Sequence, residues 1–206
     1  MDCHYPHSSR QTTATGFAML PRSVDLRAYR GAPIILTLLA IALVTRAGRF
    51  GDPAIQMDEQ FYLVVADQIW HGALPYVDIW DRKPILLFLL YAALSPLSGD
   101  GIIAYQIGAM LFSTMSSFAI VLIAQRFTNL RGAWLAGAAY LLYLPALDGG
   151  GGQSPVFYNL FMAIGALEVV RAGEAPRSIG VWRHGLRAMI WSCATGRTSS
   201  AVDWWR

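Results

Sequence analysis

Acidic, basic and aromatic side chains gather in one stretch of the chain, residues 57–84, where Asp58, Glu59, Asp67, Asp78 and Asp81 share a short span with Arg82 and Lys83. Apolar runs lie on both sides of it. A charge beside a bilayer is costly unless it faces water, a partner or a substrate, so this placement alone marks the stretch as a candidate site. Arg82 and Lys83 directly precede Pro84, a residue tolerated in the first turn of a helix. Both cations therefore stand at a helix start beside free backbone amides, a position suited to a phosphate. Asp58 occupies the place of a helix N-cap, a role compatible with chemistry at the same carboxylate.

The elements that must position these groups are legible in the spacing. From Glu59 to His71 the apolar residues Tyr62, Val65, Ala66, Ile69 and Trp70 recur on one helical face, while Gln60, Asp67, Gln68 and His71 fall largely elsewhere. This predicts an amphipathic helix lying at a membrane surface. Gly72 sits where a left-handed stop is expected, and Leu74 to Asp78, with its proline and aromatic, suits an extended turn. The run over residues 84–97 is apolar but reaches only about 21 Å as a helix, short of a hydrocarbon core of roughly 30 Å. It is expected to lie on, or dip into, the surface as a second interfacial helix. Trp70, Tyr76 and Trp80 read as interface anchors, with sugar-stacking platforms as the alternative, and His71 reads as an interfacial polar residue.

Composition sets the wider frame. Hydrophobic residues make up 55% of the 206 and charged residues only 14%, more apolar surface than a soluble domain of this size hides. The expected fold is an all-α membrane protein with about four transmembrane helices and the interfacial helices in its first extracytoplasmic loop. Cys3 and Cys193 have no metal-ligand or disulfide-framework spacing, and the net charge of +3 with scattered arginines gives no basic stripe for nucleic acid. No spanning segment is expected to carry a buried charge of the kind that marks an ion path, which speaks against a transporter.

Spanning segments are expected over residues 32–44, with Arg30 and Arg46 snorkelling at its ends, and over 102–124, 133–147 and 156–170. The positive-inside rule decides how they are threaded. If residues 84–97 stay out of the core, Arg126, Arg131, Arg171 and Arg177 share a side with the N-terminal arginines. That arrangement makes residues 1–31 a polar cytoplasmic arm, 32–173 the membrane domain and 46–101 its first extracytoplasmic loop. Gly149 to Gly152 read as a short flexible hinge. Residues 174–206 lose apolar continuity and form an irregular tail with the character of a sequence read out of frame, as in the N-terminal fragment of a longer protein.

Asp58-Glu59-Gln60-Phe61-Tyr62, Gly72-Ala73-Leu74-Pro75-Tyr76-Val77-Asp78 and Asp81-Arg82-Lys83-Pro84 resemble the first extracytoplasmic loop of one group of GT-C glycosyltransferases. It is the dolichyl-phosphate-mannose protein mannosyltransferase-like group, glycosyltransferase family 39, which includes bacterial aminoarabinose transferases. The resemblance covers residues 32–173. It implies transfer of a sugar from a polyprenyl-phosphate donor to a lipid, glycan or protein acceptor on the outer face of a bacterial inner membrane, with the N-terminus cytoplasmic. By position, Asp58 corresponds to the loop carboxylate that serves as base on the acceptor, with Glu59 its catalytic neighbour, and Lys83 with Arg82 to the cation on the donor phosphate. Tyr62, Tyr76, Asp78 and Asp81 complete the expected substrate-binding set. No cofactor is implied, and a divalent metal is left open. In the second loop, Gln153-Ser154-Pro155 stands where relatives carry an acid, which is missing here. The competing reading is a non-catalytic multi-pass membrane protein that binds lipid phosphate or assists assembly.

Overall fold

The computed structural model describes residues 31–53, 55 and 57–174, and every regular element among them is helical. The arm and tail expected at the two ends fall outside the described residues apart from Gly31 and Glu174, as do both cysteines. In chain order come α1 (Gly31–Arg46), α2 (Met57–Trp70), α3 (Ile85–Leu94), α4 (Ile102–Ala124), α5 (Leu130–Tyr143) and α6 (Ser154–Glu174). Short 3-10 turns follow α1, α3 and α5.

Two stretches are long and apolar enough to cross a membrane, Gly31–Arg49 and Ile102–Ala124. The second spans about 34 Å at 1.5 Å per residue. Large apolar side chains point away from the protein on both, including Leu36, Leu43 and Val44 on α1 and Ile103, Ile107, Leu111 and Met115 at four-residue steps along α4. That is the distribution of a helix whose outer face meets an apolar medium.

Local chemistry sets the helix ends. Asn129 caps α5 by accepting the Gly132 amide at 2.9 Å, which starts that helix before the apolar run begins. Its far end falls at Tyr143 rather than Leu147, because Pro145 brings no N–H and the chain tightens into a 3-10 turn. Pro84 lies just outside α3 in extended backbone, and Pro96 sits in the 3-10 turn that follows the helix, so α3 has ten residues. The α2 stop is the expected glycine: Gly72 has φ +92°, its amide reaches Ile69 O at 3.0 Å, and the Ala73 amide reaches Gln68 O at 2.9 Å, a Schellman closure.

α4 is the central element, packing against α1, α5 and α6, while α2 and α3 pack on one another. Two cores result. One is aliphatic and small, with Leu38, Ala42, Val121, Ala133 and Leu141 where α1, α4 and α5 meet. Ser117 there donates to Gly137 O at 2.8 Å, a close crossing of the kind small residues permit between apolar helices. The other is aromatic and joins α2 and α3 to the bundle through Tyr62, Phe88, Tyr91, Tyr105 and Phe157. Tyr91 stacks on Tyr105 with centroids 5.1 Å apart and meets Tyr62 and Phe157 edge-on at 5.3 and 5.7 Å, geometries that aromatic quadrupoles favour.

Candidate functional site

α2 presents its first turn to two different surroundings. Met57, not Asp58, opens the helix, so Asp58 lies inside the first turn and is not the expected cap, although its charge there still suits the helix dipole. Its Oδ2 accepts the Tyr62 hydroxyl one turn on at 3.3 Å and lies 3.7 Å from Lys83 Nζ. Asp58 and Lys83 are thus neighbours. Lys83 Nζ also donates to Ser154 Oγ at 3.3 Å and stands 5.9 Å from the Tyr62 ring centroid. With the Lys83 side chain 23% exposed and that of Asp58 55%, solvent screens the pair, which contributes about 1 kcal/mol or less to stability. Its importance is placement.

These groups border an open hollow of about 260 Å³ lined by Asp58, Phe61, Tyr62, Trp80, Asp81, Arg82 and Lys83. Burial pushes the Tyr62 phenol up, keeping it a proton donor toward Asp58. Of the expected substrate-binding residues, Arg82, Lys83, Tyr62 and Asp81 line the hollow, and Asp81 Oδ1 also accepts the Lys83 amide at 3.1 Å. Tyr76 and Asp78 do not line it. They build the turn that carries Lys83: Asp78 Oδ2 accepts the Leu74 amide at 2.7 Å, and the Tyr76 hydroxyl donates to Lys83 O at 2.5 Å. Tyr76 adopts φ +69°, unusual for a bulky residue, with its amide on Ile79 O at 2.8 Å. Trp80 combines 76% exposure with a place in the wall of the hollow, whereas Trp70 ties its Nε1 to Ala92 O at 2.9 Å. His71, just past the end of α2, is exposed, and its ring meets Asp67.

Glu59 faces the opposite way. Consecutive positions on a helix diverge by about 100°, and this rotation carries Glu59 into the interior, where it is fully buried. Oε2 accepts the Tyr105 hydroxyl at 2.8 Å, and Oε1 has no hydrogen-bond partner among the described residues. Burial raises its pKa, opposed first by the Tyr105 hydroxyl, then by the Gly152 amide and by the charges of Arg46 and Arg49. The pair expected as joint catalytic acids is therefore divided, with only Asp58 at the hollow.

What Glu59 meets is the segment read from sequence as a flexible hinge. Gly149 to Gly152 are all buried and held on several sides. Arg46, expected to snorkel, is 4% exposed and donates to the carbonyls of Gly149, Gly150 and Gly151 at 2.7, 3.1 and 2.8 Å. A buried charge thus ends α1, just beyond the apolar run over residues 32–44 and in place of the expected snorkelling end. Tyr91 donates to Gly152 O at 2.7 Å. A Cβ at Gly151 would overlap the Glu59 carboxylate, and one at Gly152 would lie 2.5 Å from the Tyr91 hydroxyl. The absence of side chains here makes close packing possible, rather than motion. Gln106 of α4, also buried, fixes the start of the first loop, accepting the Gly51 amide at 2.8 Å and donating to Asp52 O at 3.0 Å.

Among the described residues no three His, Cys, Asp or Glu side chains stand together as a set able to hold a metal ion. Tyr91 and Tyr105 are functional neighbours that the sequence did not single out, and Arg46 and Ser154 are neighbours it placed in other roles, as a helix end and in a second loop. The glycine run was the available signal, because four consecutive glycines beside Ser154 mark backbone that can be approached closely. No family model, curated protein or solved structure matches the chain, so the arrangement of its own residues carries the functional argument.

Proposed function

We propose that the chain is a membrane glycosyltransferase of the GT-C class that uses a polyprenyl-phosphate-linked sugar. The observation carrying this reading is the 3.7 Å approach of Asp58 and Lys83 at one open hollow, a base and a cation within reach of one substrate. An acceptor hydroxyl gives its proton to Asp58 as its oxygen bonds to the anomeric carbon. The bond from that carbon to the donor phosphate oxygen breaks, and the phosphate departs with the electron pair. Lys83, with Arg82, stabilises the negative charge that develops. In this reading α1, α4, α6 and α5 with the 3-10 turn that extends it to Leu147 cross the membrane, α2 and α3 lie at its outer face, and the N-terminal side is cytoplasmic, as arginine placement favours. Phe61 and Trp80 supply apolar surface for a sugar ring at the wall of the hollow.

The test is transfer from candidate polyprenyl-phosphate sugars in membranes containing the wild-type chain or Asp58→Asn. The substitution is expected to lower turnover about 10²- to 10⁴-fold without altering the melting midpoint. Equal turnover in the variant sinks the assignment, and binding of labelled polyprenyl phosphate with no transfer by the wild type favours the non-catalytic lipid-phosphate reading.

A further inference from the structure

Asp58 and Glu59 are joined by a second route besides their peptide bond. From Asp58 Oδ2 it runs 3.7 Å to Lys83 Nζ, then 3.3 Å to Ser154 Oγ, back along Gln153 to Gly152, and so to the Glu59 carboxylate packed on that backbone. This closed ring passes through α2, the turn before α3 and the start of α6. We propose that Glu59 is a positioning residue whose buried carboxylate fixes the Gly149–Gly152 backbone and thereby holds Ser154 against Lys83.

Three features support a task beyond filling space. The glycine backbone lies between opposite charges: Arg46 takes the carbonyls of Gly149, Gly150 and Gly151, while Glu59 lies on the side of the Gly152 amide. Each charge suits the backbone group it meets, so the loop has one preferred setting between them. Oε1 of Glu59 lacks a hydrogen-bond partner among the described residues, a cost that an apolar side chain of similar volume would avoid. Finally, only two peptide units of α-carbon spacing separate Gly152 from Ser154, so a displacement of the loop moves the Ser154 hydroxyl away from the ammonium it meets. A glutamine at position 59 keeps the volume and an oxygen for the Tyr105 hydroxyl, but it removes the charge that faces the Gly152 amide.

The readout is Lys83 itself, so the test of Glu59 is separable from the functional reading on which its catalytic meaning rests. In membranes containing the full chain, the rate at which an amine-acylating reagent modifies Lys83 is followed by mass spectrometry. Losing the Ser154 partner frees the amine, and Glu59→Gln and Ser154→Ala are each expected to raise that rate about fivefold, with the double variant no faster than either single one. Tyr105→Phe, which removes the hydroxyl that meets Glu59 Oε2 and Gln106, should change the rate in the same direction by less, and it decides the question alone if Glu59→Gln does not accumulate. An unchanged rate in Glu59→Gln, or in Tyr105→Phe where that variant stands alone, overturns the proposal. So do effects of Glu59→Gln and Ser154→Ala that multiply, because independent effects mean that Glu59 does not act through Ser154. If the wild type transfers no sugar, the glycosyltransferase reading fails while these rates still decide the role of Glu59.

Discussion

The first turn of α2 has a wet side and a dry side, each built around one carboxylate. On the wet side Asp58 faces an open hollow, Lys83 and a tyrosine hydroxyl. On the dry side Glu59 is sealed against glycine backbone, a tyrosine from α4 and the reach of Arg46. Neighbouring residues of the same chemistry thus acquire different work from a rotation of about 100°. Exposed charge can meet a substrate and stabilises the fold little, whereas buried charge organises backbone and is costly to disturb.

Substitutions should separate the two sides. After Asp58→Asn, Lys83→Met is expected to have the largest effect, lowering transfer about 10²- to 10³-fold by removing the cation at the developing phosphate charge. Its melting midpoint should stay close to wild type, and a large fall in stability would erase the distinction. Arg46→Met should produce the converse pattern, a loss of about 3 kcal/mol in denaturant unfolding, because three buried glycine carbonyls lose charge-assisted donors. The smallest effect concerns pH. The folded pKa of Glu59 lies above its ordinary 4.5, so the folded state holds that proton more tightly than the unfolded one. This contribution is fully present below pH 4.5 and is lost as pH rises through the folded value. Midpoints measured across that rise should fall less steeply in Glu59→Gln than in wild type.

Periodicity revealed what repeats locally. The buried face of α2 at Tyr62, Val65 and Ala66, its stop at Gly72 and the bounds of α4 follow from spacing and from one left-handed glycine. Lys83 and Asp58 were legible as chemistry, but their meeting depends on how the Leu74–Asp78 turn folds back. The partners of Arg46 and Ser154 were not legible. Arg46 meets backbone more than a hundred residues away, and Lys83 meets Ser154 across 71 positions, separations that no local pattern encodes. A glycine run has the same composition whether it is a hinge or a cradle, and only the residues packed against it distinguish the two. The burial of Glu59 was not legible for a related reason: spacing names its neighbours on the helix, while the glycine backbone it packs on arrives from about ninety positions away.

The bond from the Tyr76 hydroxyl to Lys83 O closes the intervening peptide into a macrocycle, with a second, smaller loop inside it where the Tyr76 amide meets Ile79 O. The entropy of threading that segment is surrendered when the protein folds, before any ligand arrives. Tyr76 supports this closure from a left-handed backbone setting that disfavours its bulk. The donor phosphate of the proposed reaction would therefore meet a lysine whose backbone has already been immobilised, so less of the intrinsic attraction is spent on ordering the receptor.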